Sequence, residues 1–178
     1  SDKRFVDIIN NDLANTIGNL LNRTSSMSRK WFDNKVPVNE KISSNIKLEN
    51  LANIAVENYI HKFDKYKLDL AANEVLSLAI NTNLYLNDNQ PWMLIKDKDN
   101  LPLVRDIIYN VLESTRIIGL LLLPLLPELS SKINEQLGSI YEKEISWKDQ
   151  LKWGLLKSNS SLPKPSPIIN KLEYEPHL

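Results

Sequence analysis

The sequence predicts an all-α fold, a bundle of about five helices with an extended C-terminal tail. Three observations carry that prediction. Apolar residues recur at spacings of three and four in successive segments, which places them on one face of a helix. No segment of useful length alternates apolar and polar residues as a half-buried strand does. The connections between segments are short, which favours antiparallel neighbours.

Ser1 and Asp2 are candidate caps for the first helix. Phe5, Ile9, Leu13, Ile17, Leu20, Leu21 and Trp31 draw its apolar stripe, and it runs to about Asp33. Asn34 is a plausible stop, because Asn tolerates the left-handed conformation. Pro37 and a polar connection over 38–45 follow. A second helix spans roughly Leu48–Tyr66, with Leu48, Leu51, Ala52, Ala55, Val56, Tyr59, Ile60 and Phe63 at helical period. A third runs from about Leu68 to Asn87. Its core face reads Leu68, Ala71, Ala72, Val75, Leu76, Ala79 and Asn83, the last a polar interruption.

Asn87–Pro91 breaks the pattern, and a short helical turn covers Trp92 to Lys96. A fourth long helix covers about Leu101–Leu123, with Val104, Ile107, Ile108, Val111, Leu112, Thr115 and Ile118 on one side. Pro124 and Pro127 end or kink it. A fifth helix, about Glu128–Leu137, stops at Gly138, a natural residue just past a helix end. The expected organisation is therefore a helical bundle over 1–138 and a tail over 139–178 that packs back on it. In the tail, Pro163, Pro165 and Pro167 favour an extended path, while Trp147, Trp153, Leu155 and Leu156 argue for packing.

Composition bounds the function. The 178 residues carry 42% hydrophobic and 25% charged residues and a formal net charge of zero, ordinary for a soluble globular protein. Nothing global marks a nucleic-acid binder, so any such binding must come from a local patch. The tail offers one: Lys148, Lys152, Lys157, Lys164 and Lys171 stand against Asp149 alone over 148–172. That run is either a solvated edge or a phosphate-contacting one. There is no Cys, and the two His, His61 and His177, lack ligand-spaced partners, so no metal site is expected. The apolar run Ile117–Leu126 falls short of the ~20 residues of a spanning helix and is interrupted by Pro124, so it reads as the buried end of a core helix. No catalytic constellation appears: the glycines at 18, 119, 138 and 154 form no phosphate loop, and no nucleophile pairs with a histidine by spacing. The chain lacks an initiator Met and enters a helix almost at once, so it reads as a piece of a longer protein.

Two features suggest recognition. Asn15, Asn19, Asn22 and Arg23 form a second stripe on the first helix. Asn is a poor helix former, and amides with guanidinium are the groups that read base edges. The stripe is either a solvated face or a recognition surface. Pro91–Trp92 stands at a helix start, where Trp92 is either a core residue or an exposed platform for an unstacked base. Trp31 and Trp147 read as structural.

Four strings then identify a resemblance. DLANTIGNLLNRTSSMSRKWFDNKVP (12–37), AINTNLYLNDNQPWMLIK (79–96), VLESTRIIGLLLLPLLPELSSKINEQLG (111–138) and WGLLKSNSSLPKPSPIINKLE (153–173) resemble, in order, the motifs of the C-terminal anticodon-binding domain of bacterial-type methionyl-tRNA synthetases. They cover nearly the whole chain. The related class I synthetases for Leu, Ile, Val and Cys share the helical architecture. The resemblance implies a tRNA-recognition module of a methionine–tRNA ligase that binds the CAU anticodon loop. On it, Asn19 and Arg23 match positions that hydrogen-bond the first anticodon base, Trp92 the aromatic that stacks on it, and Pro91 the residue that shapes the corner. It implies no catalytic residue, metal or cofactor here. ATP and methionine would belong to a catalytic domain of the same polypeptide, in a cytoplasmic enzyme with no membrane partner. Ser26–Lys30, SMSRK, lies inside a helical pattern and is not that domain's KMSKS loop. Two departures stand out: Asn34 replaces the usual Gly after the first helix, and PIINKLE replaces the commoner PLFPRIE. The competing expectations are the anticodon domain of another class I synthetase, or a helical protein-interaction module.

Overall fold

The computed structural model describes residues 2–166 and 168. The side chains of Phe5 and Ile9 and the whole of Ser1, Pro167, Lys171 and His177 lie outside the described residues. Among the described residues seven helices follow in order: α1 (Asp2–Phe32), α2 (Lys47–Asp64), α3 (Leu68–Asn89), α4 (Pro91–Leu94), then after a 3-10 turn (Lys98–Asn100) α5 (Leu101–Leu122), α6 (Pro127–Gln136) and α7 (Trp147–Gln150). The five long helices begin and end within two residues of the sequence expectation. The caps explain the agreement. Asp33 and Asn34 both take the left-handed conformation, with φ of 55° and 60°, and stop α1. Gly138 does the same after α6 with φ of 99°. Pro127 opens α6 at its first position, where its missing N–H leaves no bond unmade.

α5 is the centre of the bundle, packed against α1, α2, α3 and α6. The periodic reading gave it one apolar side. In the structure it has no exposed side: every residue from Asp106 to Leu122 is buried. The polar residues the pattern passed over are therefore inside, and each is engaged. Ser114 shares a 2.7 Å hydroxyl–hydroxyl contact with Thr82 of α3. Thr115 donates back to Val111 O at 2.7 Å. Asn110 donates to Tyr85 Oη at 3.2 Å. A helix buried all round still leaves its last carbonyls without intrahelical partners. Here each finds a donor from elsewhere: Gly119 O from Ser130 Oγ (2.6 Å), Leu120 O from Trp147 Nε1 (2.6 Å), Leu121 O from Tyr59 Oη (2.6 Å), and Leu122 O from Leu126 N (2.7 Å). Gly119 has no room for a side chain, since an added Cβ would lie 2.3 Å from Tyr141 Oη.

Glu113 and Arg116 form a buried ion pair within α5, Glu113 fully buried and Arg116 4% exposed. Arg116 also donates to Gln150 O (2.6 Å) and Lys152 O (2.8 Å). Glu113 Oε2 accepts from the backbone N–H of Gly154 and from that of Leu155 (2.8 Å). The pair thus grips the chain just after α7, a four-residue helix that the sequence reading did not foresee. Ser146 caps it, accepting from Asp149 N at 3.2 Å. Trp147 packs beside Tyr59 and Phe63, ring centroids 6.0 Å from each, the structural role expected of it. Farther on, residues 159–162 run antiparallel to 34–36: Val36 N donates to Ser160 O (2.9 Å), Asn159 N to Val36 O and Leu162 N to Asn34 O (2.7 Å each).

Other details differ from the periodic reading. Leu68, placed on the core face of the third helix, is 46% exposed at its first turn, while Leu78, Thr82, Tyr85 and Leu86 are buried. The face follows α1, α2 and α5 together, so it is wider than a single stripe. Lys148, Lys152 and Lys164 are exposed, and Lys157 lies 3.9 Å from Glu142. No helix among the described residues is long and apolar enough to cross a membrane.

Two measurements test this account. Arg116→Leu leaves the Glu113 charge buried without its partner and should cost about 3–5 kcal/mol, read as a fall in the urea midpoint; a change near zero would show that the pair does not hold the tail. Asp106 is buried, and burial raises its pKa above the ordinary 3.8, against a 2.8 Å hydrogen bond from Asn45 Nδ2. The folded state therefore keeps this proton to higher pH than the unfolded chain, so its contribution to stability is full below 3.8 and is lost as pH rises through the raised value. Relative to Asp106→Asn, the wild type should lose urea stability as pH climbs through that window; a gain would overturn the assignment.

Candidate nucleic-acid interface

The sequence-nominated residues come from α1 and from the α3–α4 corner. Asn15, Asn19 and Asn22 all lie on the exposed side of α1, opposite Leu13, Ile17, Leu20, Leu21 and Thr24, which are buried. Arg23 lies between those two sides and is half-buried. Its position on α1 turns it toward α3, and there its Nη1 donates to Asn83 Oδ1 at 3.4 Å.

The corner is built by backbone geometry. α3 ends at Gln90 in the left-handed conformation (φ 45°, ψ 61°), and the same residue begins α4. Its N–H still donates to Leu86 O (3.2 Å), while its carbonyl accepts from Met93 N (2.9 Å) and Leu94 N (3.2 Å). Pro91 at the first position of α4 is buried, and its fixed φ suits a helix start. Asn89 Nδ2 donates to Tyr85 O at 2.8 Å, tying the last turn of α3. Below it, Tyr85 is 4% exposed and donates to Asn45 Oδ1 at 2.9 Å. Burial, opposed by its hydrogen bonds to Asn110 and Asn45, pushes its hydroxyl pKa up to about 12, so it stays a neutral donor.

This turn leaves Trp92 exposed, at 37%, beside Met93 at 50%. The alternative of a core tryptophan is excluded. The Arg23 guanidinium carbon sits 5.3 Å from the centre of the Trp92 ring, within the range of a cation–π contact. Residues far apart in sequence are thus brought together: Arg23 touches both Asn83 and Trp92, with Pro91 fixing the turn beneath. Asn19 stands one turn before Arg23 on α1 and is exposed.

Asn83 is the residue that sequence reasoning passed over as an interruption in a core face. The signal was present, since an amide at a register position otherwise taken by Leu, Ala and Val needs a polar partner. Nothing local to α3 names that partner.

The arrangement has one guanidinium with N–H groups left over, one amide on the same helix side and one indole face, all at a solvent-open edge. Such a set holds a planar group that carries hydrogen-bond acceptors on its edge. Acrylamide quenching tests the exposure: Trp92→Phe should lower the quenching slope more than Trp147→Phe, whose Nε1 is engaged inside. The reverse order would show the corner to be closed.

A family model for the anticodon binding domain of methionyl tRNA ligase matches residues 36–176. Pro91 and Trp92 fall inside that range, and Asn19 and Arg23 before it. A methionine–tRNA ligase of Caldanaerobacter subterraneus subsp. tengcongensis is 36% identical over 185 residues, covering 100% of this chain and 28% of its own length. One from Synechocystis sp. is 34% identical over 97% of this chain and 34% of its own. The apo form of Mycobacterium tuberculosis methionyl-tRNA synthetase superposes with a TM-score of 0.79 at 31% identity, over 95% of this chain and 34% of that one. The chain therefore spans about a third or less of the length of the curated relatives it matches.

Proposed function

The chain belongs to the family of the anticodon binding domain of methionyl tRNA ligase, and from that premise we propose that it binds the CAU anticodon loop of methionine tRNA through Asn19, Arg23, Pro91 and Trp92. The observation that carries the reading is the Arg23–Trp92 contact of 5.3 Å. It places hydrogen-bond donors and a stacking face at one exposed point.

The chemistry fits cytosine as the first anticodon base. Cytosine presents O2 and N3 as acceptors and an amino group as donor. Arg23 supplies donors only, and the exposed Asn19 amide adds an acceptor. A base splayed from a loop exposes this edge, and Trp92 offers the face on which it stacks. Uracil carries N3–H and O4 instead, so it would meet donors with a donor and leave polar groups unpaired, the kind of mismatch a hydrogen-bonding site rejects strongly. Pro91 keeps Trp92 at the surface by fixing the turn. The formal net charge of zero means that phosphate attraction contributes modestly, so discrimination by these side chains should survive added salt better than affinity does.

In this reading the chain serves a ligase that attaches methionine to its tRNA with ATP. The ATP and methionine sites lie in a catalytic domain of the same polypeptide, and the enzyme works in the cytoplasm. The recognition module needs no metal or cofactor of its own.

Binding of labelled anticodon stem-loops, CAU against UAU, to wild type, Trp92→Ala and Arg23→Ala tests the proposal. Stacking contributes about 1–3 kcal/mol per base, so Trp92→Ala should weaken CAU binding roughly 5- to 150-fold. Arg23→Ala should bring the two loops toward equal affinity. Wild-type binding that is equal for both loops and insensitive to Trp92→Ala would overturn it.

A further inference from the structure

We propose that Asn83 is the positioning residue of this site: it sets the direction of the Arg23 guanidinium and thereby the preference for cytosine. The proposal rests on the anticodon reading above and deepens it.

Arg23 has a long side chain with many rotamers, and it lies at the border between core and solvent. A guanidinium reads a base edge only when its plane is fixed, because its N–H groups lie in that plane. Two contacts fix it here. The Trp92 ring holds the guanidinium carbon at 5.3 Å. The Asn83 carbonyl accepts from Nη1 at 3.4 Å. The ring contact alone leaves the group free to turn, since a ring face attracts a cation without choosing among its N–H groups. The amide oxygen supplies the second direction. At 3.4 Å the bond is long, so its value lies in orientation more than in energy.

The placement of Asn83 supports this role. It stands sixty residues from Arg23, itself half-buried, on an α3 face that also carries the buried Val75 and Ala79. An apolar residue there would bury more surface without needing a polar partner. The backbone around it is held firmly: Thr82 is bonded to Ser114, Tyr85 to Asn45 and Asn110, and Leu86 is fully buried. Asn83 is thus a short-armed acceptor on a helix held by these bonds, and Arg23 is the longer side chain it orients. The free N–H groups of Arg23 are those that a base reaches after it slides onto Trp92.

The test compares CAU and UAU stem-loops on the 178-residue chain carrying Asn83→Leu, Asn83→Ala or Asn83→Asp, with thermal unfolding run in parallel. Leu fills the site without an acceptor and should lower the CAU:UAU affinity ratio by about two- to twelvefold, the scale of one ordinary hydrogen bond, as suits a bond this long, with no loss of melting temperature. Ala should lower the ratio similarly, which keeps the test valid if Leu packs badly. Asp keeps an acceptor in place and should retain the ratio even where its charge weakens both loops. In an Arg23→Ala background, Asn83→Leu should change the ratio no further. A wild-type ratio in the Leu and Ala variants, while Trp92→Ala abolishes it, would overturn the positioning role and leave the anticodon reading standing. A wild type with no CAU preference would overturn both.

Discussion

The structure depends on keeping α5 out of water on every side. A helix buried from Asp106 to Leu122 maximises apolar burial, but this one carries Glu113 and Arg116 into the interior. Two buried charges are tolerable only when paired and fully hydrogen-bonded. Each satisfies part of the other, and the remaining donors and acceptors come from the backbone at Gln150, Lys152, Gly154 and Leu155. The conformation of that segment follows: its amides must point at Glu113, and Gly154 takes a φ of 94° there. The chain after α6 is thereby part of the core's solvation and not an appendage to it.

The same demand is met at the C-terminal end of α5. Carbonyls that water would otherwise serve are taken by Ser130, Trp147, Tyr59 and Leu126, so α2, α6 and α7 are held at fixed distances by single bonds to one helix end. Farther along, the 159–162 segment pairs with 34–36 and ties down the exit of α1. The helix that carries Asn19 and Arg23 is thus held at its end by the tail and along its side by α3 and α5.

The proposed recognition site is an edge more than a cavity. It has little charge, one stacking surface and a few directed polar groups. Such a site gains from pre-orientation, because every unfixed rotor must be ordered when the ligand arrives. The Tyr85–Asn45–Asn110 network and the left-handed Gln90 keep the α3–α4 corner rigid, which leaves Arg23 as the long side chain whose direction matters most.

Much of this was legible in the sequence. Helix bounds followed from periodicity and from Asn34, Pro127 and Gly138, because stripes and caps are written within a turn or two of the residues they govern. The family followed from four strings in order. The sequence left open whether Trp92 is core or surface. It gave no sign that Glu113 and Arg116 are buried, that a short helix starts at Trp147, or that Asn83 belongs with Arg23. These were decided only by tertiary structure. A helical period reports one residue's neighbours three and four positions away, whereas the partners of Asn83, Arg116 and Trp147 lie 60, 34 to 36 and 27 residues distant. Such pairs are set by how whole helices pack, and packing is a property of all the faces at once.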